Sequence, residues 1–417
     1  MPKLFQINVT ANWGSTGKIA EQIGLCAQAH GWESYIAYGR MMNSSKNELV
    51  KIGNAIDVYE HYAEERLFDN EGLASKSTTR CLIEQIKQIA PDVVHLHNIH
   101  DHWLNYKILF EFLNDTDIKI VWTFHDFWAI TGHCHHFVQA DCNRFMTECY
   151  DCPYTKGKLF PLLKRTKRNF DLKKQLFTAN KNLTIVPVSE WVGDIVQQSF
   201  LKDKDIHVIP NGVDTEIFKP TEPSEFQKAS ENFKRLQGKF VIMAVSSQWK
   251  SGSKGLGDYR AMAKMLKKDE VIVLVGVDDK VVASLPSNMI GIKRTNNQQE
   301  LAALYTRADV VCSFSSAETF GLTIIEGYAC GTPAVVYDNT APPSLITTET
   351  GCIVTNKDYE SAYLAIQQIK INGKKYYADA CINLVKNKYD INKCFEEYIQ
   401  LYEGLINHIK LKASDNL

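Results

Sequence analysis

The sequence predicts an α/β fold of two domains, each a parallel sheet covered by helices. Three observations carry this expectation. The 417 residues exceed what one ordinary core encloses and fit two. Near the start, residues 4–9 are a β-type run, 10–17 a polar glycine-bearing turn, 18–30 an amphipathic helical pattern and 34–38 a second strand. That is the βαβ opening of a parallel sheet. In the second half, residues 308–314 read as a short buried strand. After a polar turn, 324–329 continue at helical spacing until Cys330-Gly331-Thr332-Pro333 stops the helix.

Composition narrows the class. Lys plus Arg number 47 against 48 Asp plus Glu, a net charge of -1, so no global field attracts nucleic acid. No stretch approaches the roughly twenty apolar residues of a membrane-spanning helix. Met1-Pro2-Lys3-Leu4 runs straight into a strand without a leader-like apolar region, and with eleven cysteines this implies reduced thiols and a cytoplasmic chain. Cys26, Cys81, Cys312, Cys330, Cys352 and Cys381 stand singly in apolar contexts as core fillers.

In the first half, Gly14-Ser15-Thr16-Gly17-Lys18 invites a P-loop reading. That motif needs glycine where Asn12 stands and Ser or Thr where Ile19 stands, so the reading is declined. Residues 83–89 are helical, and Pro91 to Asn98 form a strand running into a loop with His95, His97, His100 and His102. Alternating histidines can ligate zinc in a hydrolase, but Asp101-His102 comes too late to complete that pattern with His95 and His97. Residues 118–123 make the next strand and deliver Phe124-His125-Asp126. A His-Asp pair at the C-terminal edge of a sheet sits where open α/β sheets bind ligands; a buried, satisfied histidine is the plainer alternative. Cys134, Cys142, Cys149 and Cys152 then fall in the loop 133–153, the last two as Cys-x-x-Cys. Such a set suits a tetrahedral structural zinc, with His135 and His136 as alternative ligands; free thiols or a disulfide pair fit the same spacing. Residues 156–174 carry eight Lys or Arg against Asp171 alone, interleaved with Leu and Phe. That composition suits docking on an anionic membrane surface, or a solvated helix face.

The second half begins after a strand at 183–188. Residues 206–209 are β-type, Asn211-Gly212 is a turn signal, and 219–238 read as a surface connector and helix. A strand at 240–246 leads into a loop bearing Lys250 and Lys254-Gly255. Strands follow at 271–275 and 290–292, the latter ending at Lys293-Arg294, then a helix at 297–307 leading to residue 308. Between strand and helix lies Ser315-Ser316-Ala317-Glu318-Thr319-Phe320-Gly321-Leu322-Thr323-Ile324-Ile325-Glu326. Backbone N–H groups at such a helix start are ready for an anion, with Glu318 and Glu326 on either side. Glu326 is expected about two turns into the helix, or less if the helix starts late. Residues 333–337 and 351–354 are further strands, and the chain is helical from 360 onward.

Glu-x-Phe-Gly-Leu with a second glutamate at 326, followed by Ala-Cys-Gly-Thr-Pro, closely resembles the donor-site signature of retaining family-4 glycosyltransferases of the GT-B fold. The likeness extends over nearly the whole chain, including 206–214 and His125-Asp126, and is to transferases of colanic-acid, capsule and lipopolysaccharide type. It implies two Rossmann-like domains facing a central cleft. Residues 1–205 would bind acceptor, 206–394 the donor, and 395–417 would form a helix crossing back to the first domain. It implies a nucleotide-diphosphate hexose (UDP- or GDP-linked) as donor, no catalytic metal, and a saccharide acceptor, often lipid-linked, at the inner face of the plasma membrane. Residue by residue, it assigns catalysis to His125 and Glu318. Donor binding falls to Gly14, Gly17, Lys250, Lys254, Arg294, Phe320, Gly321, Leu322, Thr323 and Glu326, and acceptor binding to His97 and Asp126. Two departures stand out. The phosphate-binding arginine is replaced by Ser247 or Gln248, and the later Pro-Glu loop by Pro342-Pro343-Ser344. A sugar-nucleotide epimerase, an inert nucleotide-sugar-binding protein, or a zinc hydrolase built on His95–His102 are the rival readings.

Overall fold

The computed structural model describes residues 1–221 and 231–414, so part of the expected connector, 222–230, lies outside the described residues. The chain divides into two compact units, Met1–Pro210 with Phe395–Leu417, and Asn211–Cys394.

The first unit is built on a seven-stranded sheet of β1 (Lys3–Ile7), β2 (Glu33–Tyr38), β3 (Glu48–Lys51), β4 (Val93–Leu96), β5 (Lys119–Phe124), β6 (Leu183–Pro187) and β7 (Asp205–Ile206). Their order is β3-β2-β1-β4-β5-β6-β7, and every pairing is parallel. The central strands are buried on both faces, as a sheet covered on both sides requires, and mostly apolar apart from Gln6, His95 and Thr123. The edge strand β7 pairs with β6, and the first unit runs to Pro210. The edge strand β3 escaped the sequence reading: Glu-Leu-Val-Lys is too short and too polar to stand out, and its terminal charges suit an edge.

The first helix spans Gly14–Ala29 and so starts at Gly14, not at Lys18; Gly14 takes a positive φ of 67°. Gly17 thus lies in its first turn. A Cβ there would stand 2.7 Å from Thr10 Oγ1, so glycine lets the preceding loop fold tightly over the helix start. The helix Ala55–Phe68, also missed, opens with a capping box between Asn54 and Asp57. Within 156–174, the second half lies in the packed helix Thr166–Ala179, with Phe170 and Lys173 buried; only the first half is a surface loop, with both lysine and leucine side chains exposed.

The second unit holds β8 (Phe240–Val245), β9 (Glu270–Val275), β10 (Met289–Ile292), β11 (Val310–Ser313), β12 (Ala334–Tyr337) and β13 (Gly351–Val354). The order is β10-β9-β8-β11-β12-β13, again all parallel. The helix Ile391–Ser414 begins in this unit, and from Phe395 it belongs to the first. There Tyr398 and Tyr402 are fully buried, their hydroxyls hydrogen-bonded to Thr123 Oγ1 and His95 Nδ1 at 3.0 and 2.6 Å.

Candidate functional site

In each sheet the strand order reverses once, between β1 and β4 in the first unit and between β8 and β11 in the second. Loops leaving the C-terminal ends of strands diverge at such a switch point and leave a crevice for a ligand. Lys254 and Glu318 lie on the loops at the second reversal and Gly14 and His97 on those at the first, whereas Arg294 ends the edge strand β10.

In the second unit the loop after β8 carries Lys254 and the loop after β11 carries Glu318. Ser316 N donates to Ser253 O at 2.8 Å, tying the loops together. Lys254 Nζ lies 2.6 Å from Glu318 Oε1, with Ser315 Oγ at 3.4 Å and Ala317 O at 3.5 Å. The helix begins at Leu322 and runs to Ala329. Glu326 therefore lies just past the first turn, where it accepts a hydrogen bond from Tyr305 Oη at 2.8 Å. Tyr305 is wholly buried, and the carboxylate beside it pushes its hydroxyl pKa up further than burial does alone.

Gly321 caps this helix at φ 115° and ψ 47°. An added Cβ would meet Leu345 Cδ1 at 3.0 Å and Ile324 Cδ1 at 3.1 Å. The glycine is thus required by backbone conformation and by packing inward. Leu322 and Thr323 form the first turn, whose amides have no intrahelical acceptor. Phe320 is buried edge-on to Tyr389 at 5.8 Å, which makes it an anchor for the loop and not a platform for a ligand. Lys250 is exposed and paired with Asp278, and Arg294 is exposed at the end of β10.

In the first unit a hydrogen-bonded file crosses the ends of β1, β4 and β5. Gln6 Nε2 donates to Ala20 O at 2.8 Å, which leaves Gln6 Oε1 to face His97 Nε2 at 3.1 Å. His97 Nδ1 in turn meets His125 Nε2 at 3.1 Å, with the rings stacked at 5.4 Å. Burial holds His97 well below the ordinary histidine pKa and His125 down at about 4, so both are neutral at pH 7. A carbonyl oxygen can only accept, so His97 carries its proton on Nε2 and accepts at Nδ1. His125 must then carry its proton on Nε2, leaving Nδ1 as its accepting nitrogen. His97 itself is 2% exposed with both nitrogens engaged, so it positions His125 and does not reach an acceptor. Sequence reasoning missed Gln6; its only signal was an amide inside the apolar run Leu4-Phe5-Gln6-Ile7.

Asp126 is likewise committed internally. Its Oδ1 accepts from Trp128 N at 2.9 Å, and its Oδ2 faces His100 Nε2 at 2.9 Å and His135 Nδ1 at 3.4 Å. Burial opposes charge on His100, but Asp126 and Asp101 outweigh it and raise its pKa to about 10. Asp126 is held well below the usual carboxylate range against burial, chiefly by His100. The four histidines of 95–102 do not converge. His95 binds Thr123 and Tyr402, His97 binds Gln6 and His125, and His102 binds Glu65. A zinc centre of His95, His97, His100 and His102 is therefore ruled out by their orientation. Among the described residues, His100 instead groups with Glu71, Asp101 and His135 within 4.8 Å.

Two family models match the chain: Glycosyltransferase Family 4 over residues 18–217 and Glycosyl transferases group 1 over residues 259–383. The chain belongs to the family-4 glycosyltransferases. This glycosyltransferase is 21% identical over 427 residues to the putative colanic acid biosynthesis glycosyl transferase WcaC of Escherichia coli (strain K12), covering 96% of this chain and 100% of that one. In fold it is similar to a sucrose-phosphate synthase from Thermosynechococcus elongatus, with TM-score 0.72, 16% identity, and 98% and 100% of the two chains covered. It is also similar to Anabaena HepE in complex with UDP, at TM-score 0.64 and 15% identity over 97% and 100%. The two parallel-sheet units of this glycosyltransferase are those of the GT-B fold.

Proposed function

We propose that this glycosyltransferase moves a hexose from a nucleotide-diphosphate sugar to a lipid-linked saccharide, with retention of anomeric configuration, in surface-polysaccharide assembly. The observation that carries the reading is the Lys254–Glu318 pair set at the β8/β11 switch point, before a helix start whose glutamate is held by Tyr305. In this reading the diphosphate takes Lys254 and the amides of Leu322 and Thr323. Glu318 turns to the sugar hydroxyls and Glu326 grips the ribose. His125, neutral with its tautomer fixed, serves as a hydrogen-bonding partner of the reacting sugar. The bond from C1 to the phosphate oxygen breaks and the acceptor oxygen bonds to C1. The acceptor proton passes to the departing phosphate, whose charge the lysine and the helix start stabilise. The UDP in the HepE complex and the colanic-acid role in the WcaC name support the donor and pathway classes.

A surface of the first unit supports a membrane-borne acceptor. Leu159 is 72% exposed, and Leu162 and Leu163 are exposed beside it, among Lys156, Lys158 and Lys164. Leu162 N and Leu163 N bond to Arg66 O and Leu67 O, joining this loop to a helix that itself exposes Ile56, Tyr59 and Tyr62. Apolar side chains ringed by lysines suit the headgroup region of an anionic leaflet. One assay tests the whole reading: UDP- and GDP-hexoses with a lipid-linked saccharide in vesicles, neutral or anionic, and the product's anomeric proton read by NMR. Transfer with the donor's configuration, faster on anionic vesicles, is expected. An inverted linkage, donor epimerised without transfer, or a rate indifferent to lipid charge would each refute the corresponding part.

A further inference from the structure

The loop 133–153 has little regular structure, two 3-10 turns at Val138–Ala140 and Arg144–Met146, and a stacked pair, Phe137 and Phe145, of which Phe137 also packs on Phe127. A loop this long inside a compact unit needs some tie beyond that. Its four cysteines are free thiols that line one small cavity, closed by Gly132, Arg144 and Tyr154. Cys149 and Cys152 are buried, and Cys134 and Cys142 half-buried. We propose that Cys134, Cys142, Cys149 and Cys152 form a tetrathiolate zinc site that fixes this loop and, through it, holds His135 against Asp126.

The surroundings fit a metal bound by thiolates. Burial pushes the Cys149 and Cys134 thiols up, to about 11 and about 12, and at Cys149 the Gly132 N–H opposes this by bonding the sulfur. Four thiolates on Zn²⁺ carry a net charge of about -2, and cations stand beside them. Lys173 is buried and lies near Cys134 and Cys149. Its ammonium is held by carbonyls, Trp128 O at 2.7 Å and Thr131 O at 3.1 Å, and by the Trp128 ring at 3.4 Å. Arg144 lines the cavity and donates to the carbonyls of Tyr150 and Asp151, fixing the turn between Cys149 and Cys152. Among the described residues the sulfurs are not gathered in threes within 4.8 Å. A tetrahedral site sets them about 3.8 Å apart, so binding draws the loop inward by roughly an ångström or more. The coupling to the histidines is direct. Cys134 O accepts from Thr131 Oγ1 at 2.5 Å, His135 O accepts from Phe127 N at 2.9 Å, and the His135 ring faces Asp126.

Full-length, tag-free protein purified from zinc-supplemented culture is analysed for metal. Cobalt is then exchanged into the same protein and its visible spectrum recorded. About one zinc per chain is expected, together with the d–d and thiolate-to-metal bands of tetrahedral tetrathiolate cobalt. The double variant C149S/C152S should lose the metal, while K156A, outside the cavity, keeps it. Metal well under one per chain, cobalt bands of an oxygen- or nitrogen-rich site, or zinc retained by C149S/C152S would each overturn the proposal. So would an iron–sulfur spectrum, or a Cys–Cys disulfide found by mass spectrometry. The cobalt spectrum of the unmodified protein decides the matter even if the variant fails to fold.

Discussion

At Gly321 one residue sets both the helix start and its neighbours' positions. Its φ of 115° strains any side chain, and an added methyl would crowd Leu345 and Ile324 at 3.0 and 3.1 Å. Gly321→Ala should cost about 1–3 kcal/mol of stability, read from urea denaturation, and should weaken nucleotide binding as the Leu322 and Thr323 amides turn. An unaltered denaturation midpoint and affinity would mean that this conformation matters to neither. Gly321, Glu318 and Glu326 were legible in the sequence because they sit in one short run. Tyr305 and Gln6 were not, since each acts on a partner brought near only by the fold, 21 residues away for Tyr305 and 91 for Gln6.

At the scale of elements, the ends of β4 and β5 and the helix Ile391–Ser414 share a buried histidine network. His95, His97 and His125 remain neutral in the folded chain because burial disfavours their charged forms. In the unfolded chain they protonate below about pH 6.5. The unfolded state then binds more protons, so stability falls as pH drops from about 6.5 toward 4, by at most about 1.4 kcal/mol per pH unit for each histidine. His100 works in the opposite direction. Its raised pKa gives stability present below about pH 6.5 and lost as pH rises toward about 10. The denaturant midpoint of the first unit, followed from pH 7 down to 5, should therefore decline steadily; a flat profile would mean that these histidines are solvated and free to titrate. Both sheets and most strands were legible from apolar runs, whereas β3 is too short to stand out and the helix Ala55–Phe68 spreads its apolar residues around its circumference, exposing Ile56, Tyr59 and Tyr62. The start of the first helix was misplaced because Gly14 and Gly17 look like turn residues, although one opens the helix and the other lets a loop close over it.

At the scale of the whole chain, each unit repeats one plan, a parallel sheet whose strand order reverses once, with chemistry-bearing side chains on the loops at that reversal. What the second unit lacks is the arginine expected after β8: Ser247 and Gln248 stand there, and Lys250 is taken by Asp278. In the proposed reading the charge of a bound diphosphate therefore falls chiefly on Lys254, which is paired with Glu318. Calorimetric titration of UDP and GDP into the unmodified protein and into Lys254→Ala tests this most directly. Loss of one charge-assisted contact should weaken the preferred nucleotide roughly 10- to 100-fold, about 1.5–3 kcal/mol. Equal affinities in the two proteins would contradict a donor site at the β8/β11 reversal.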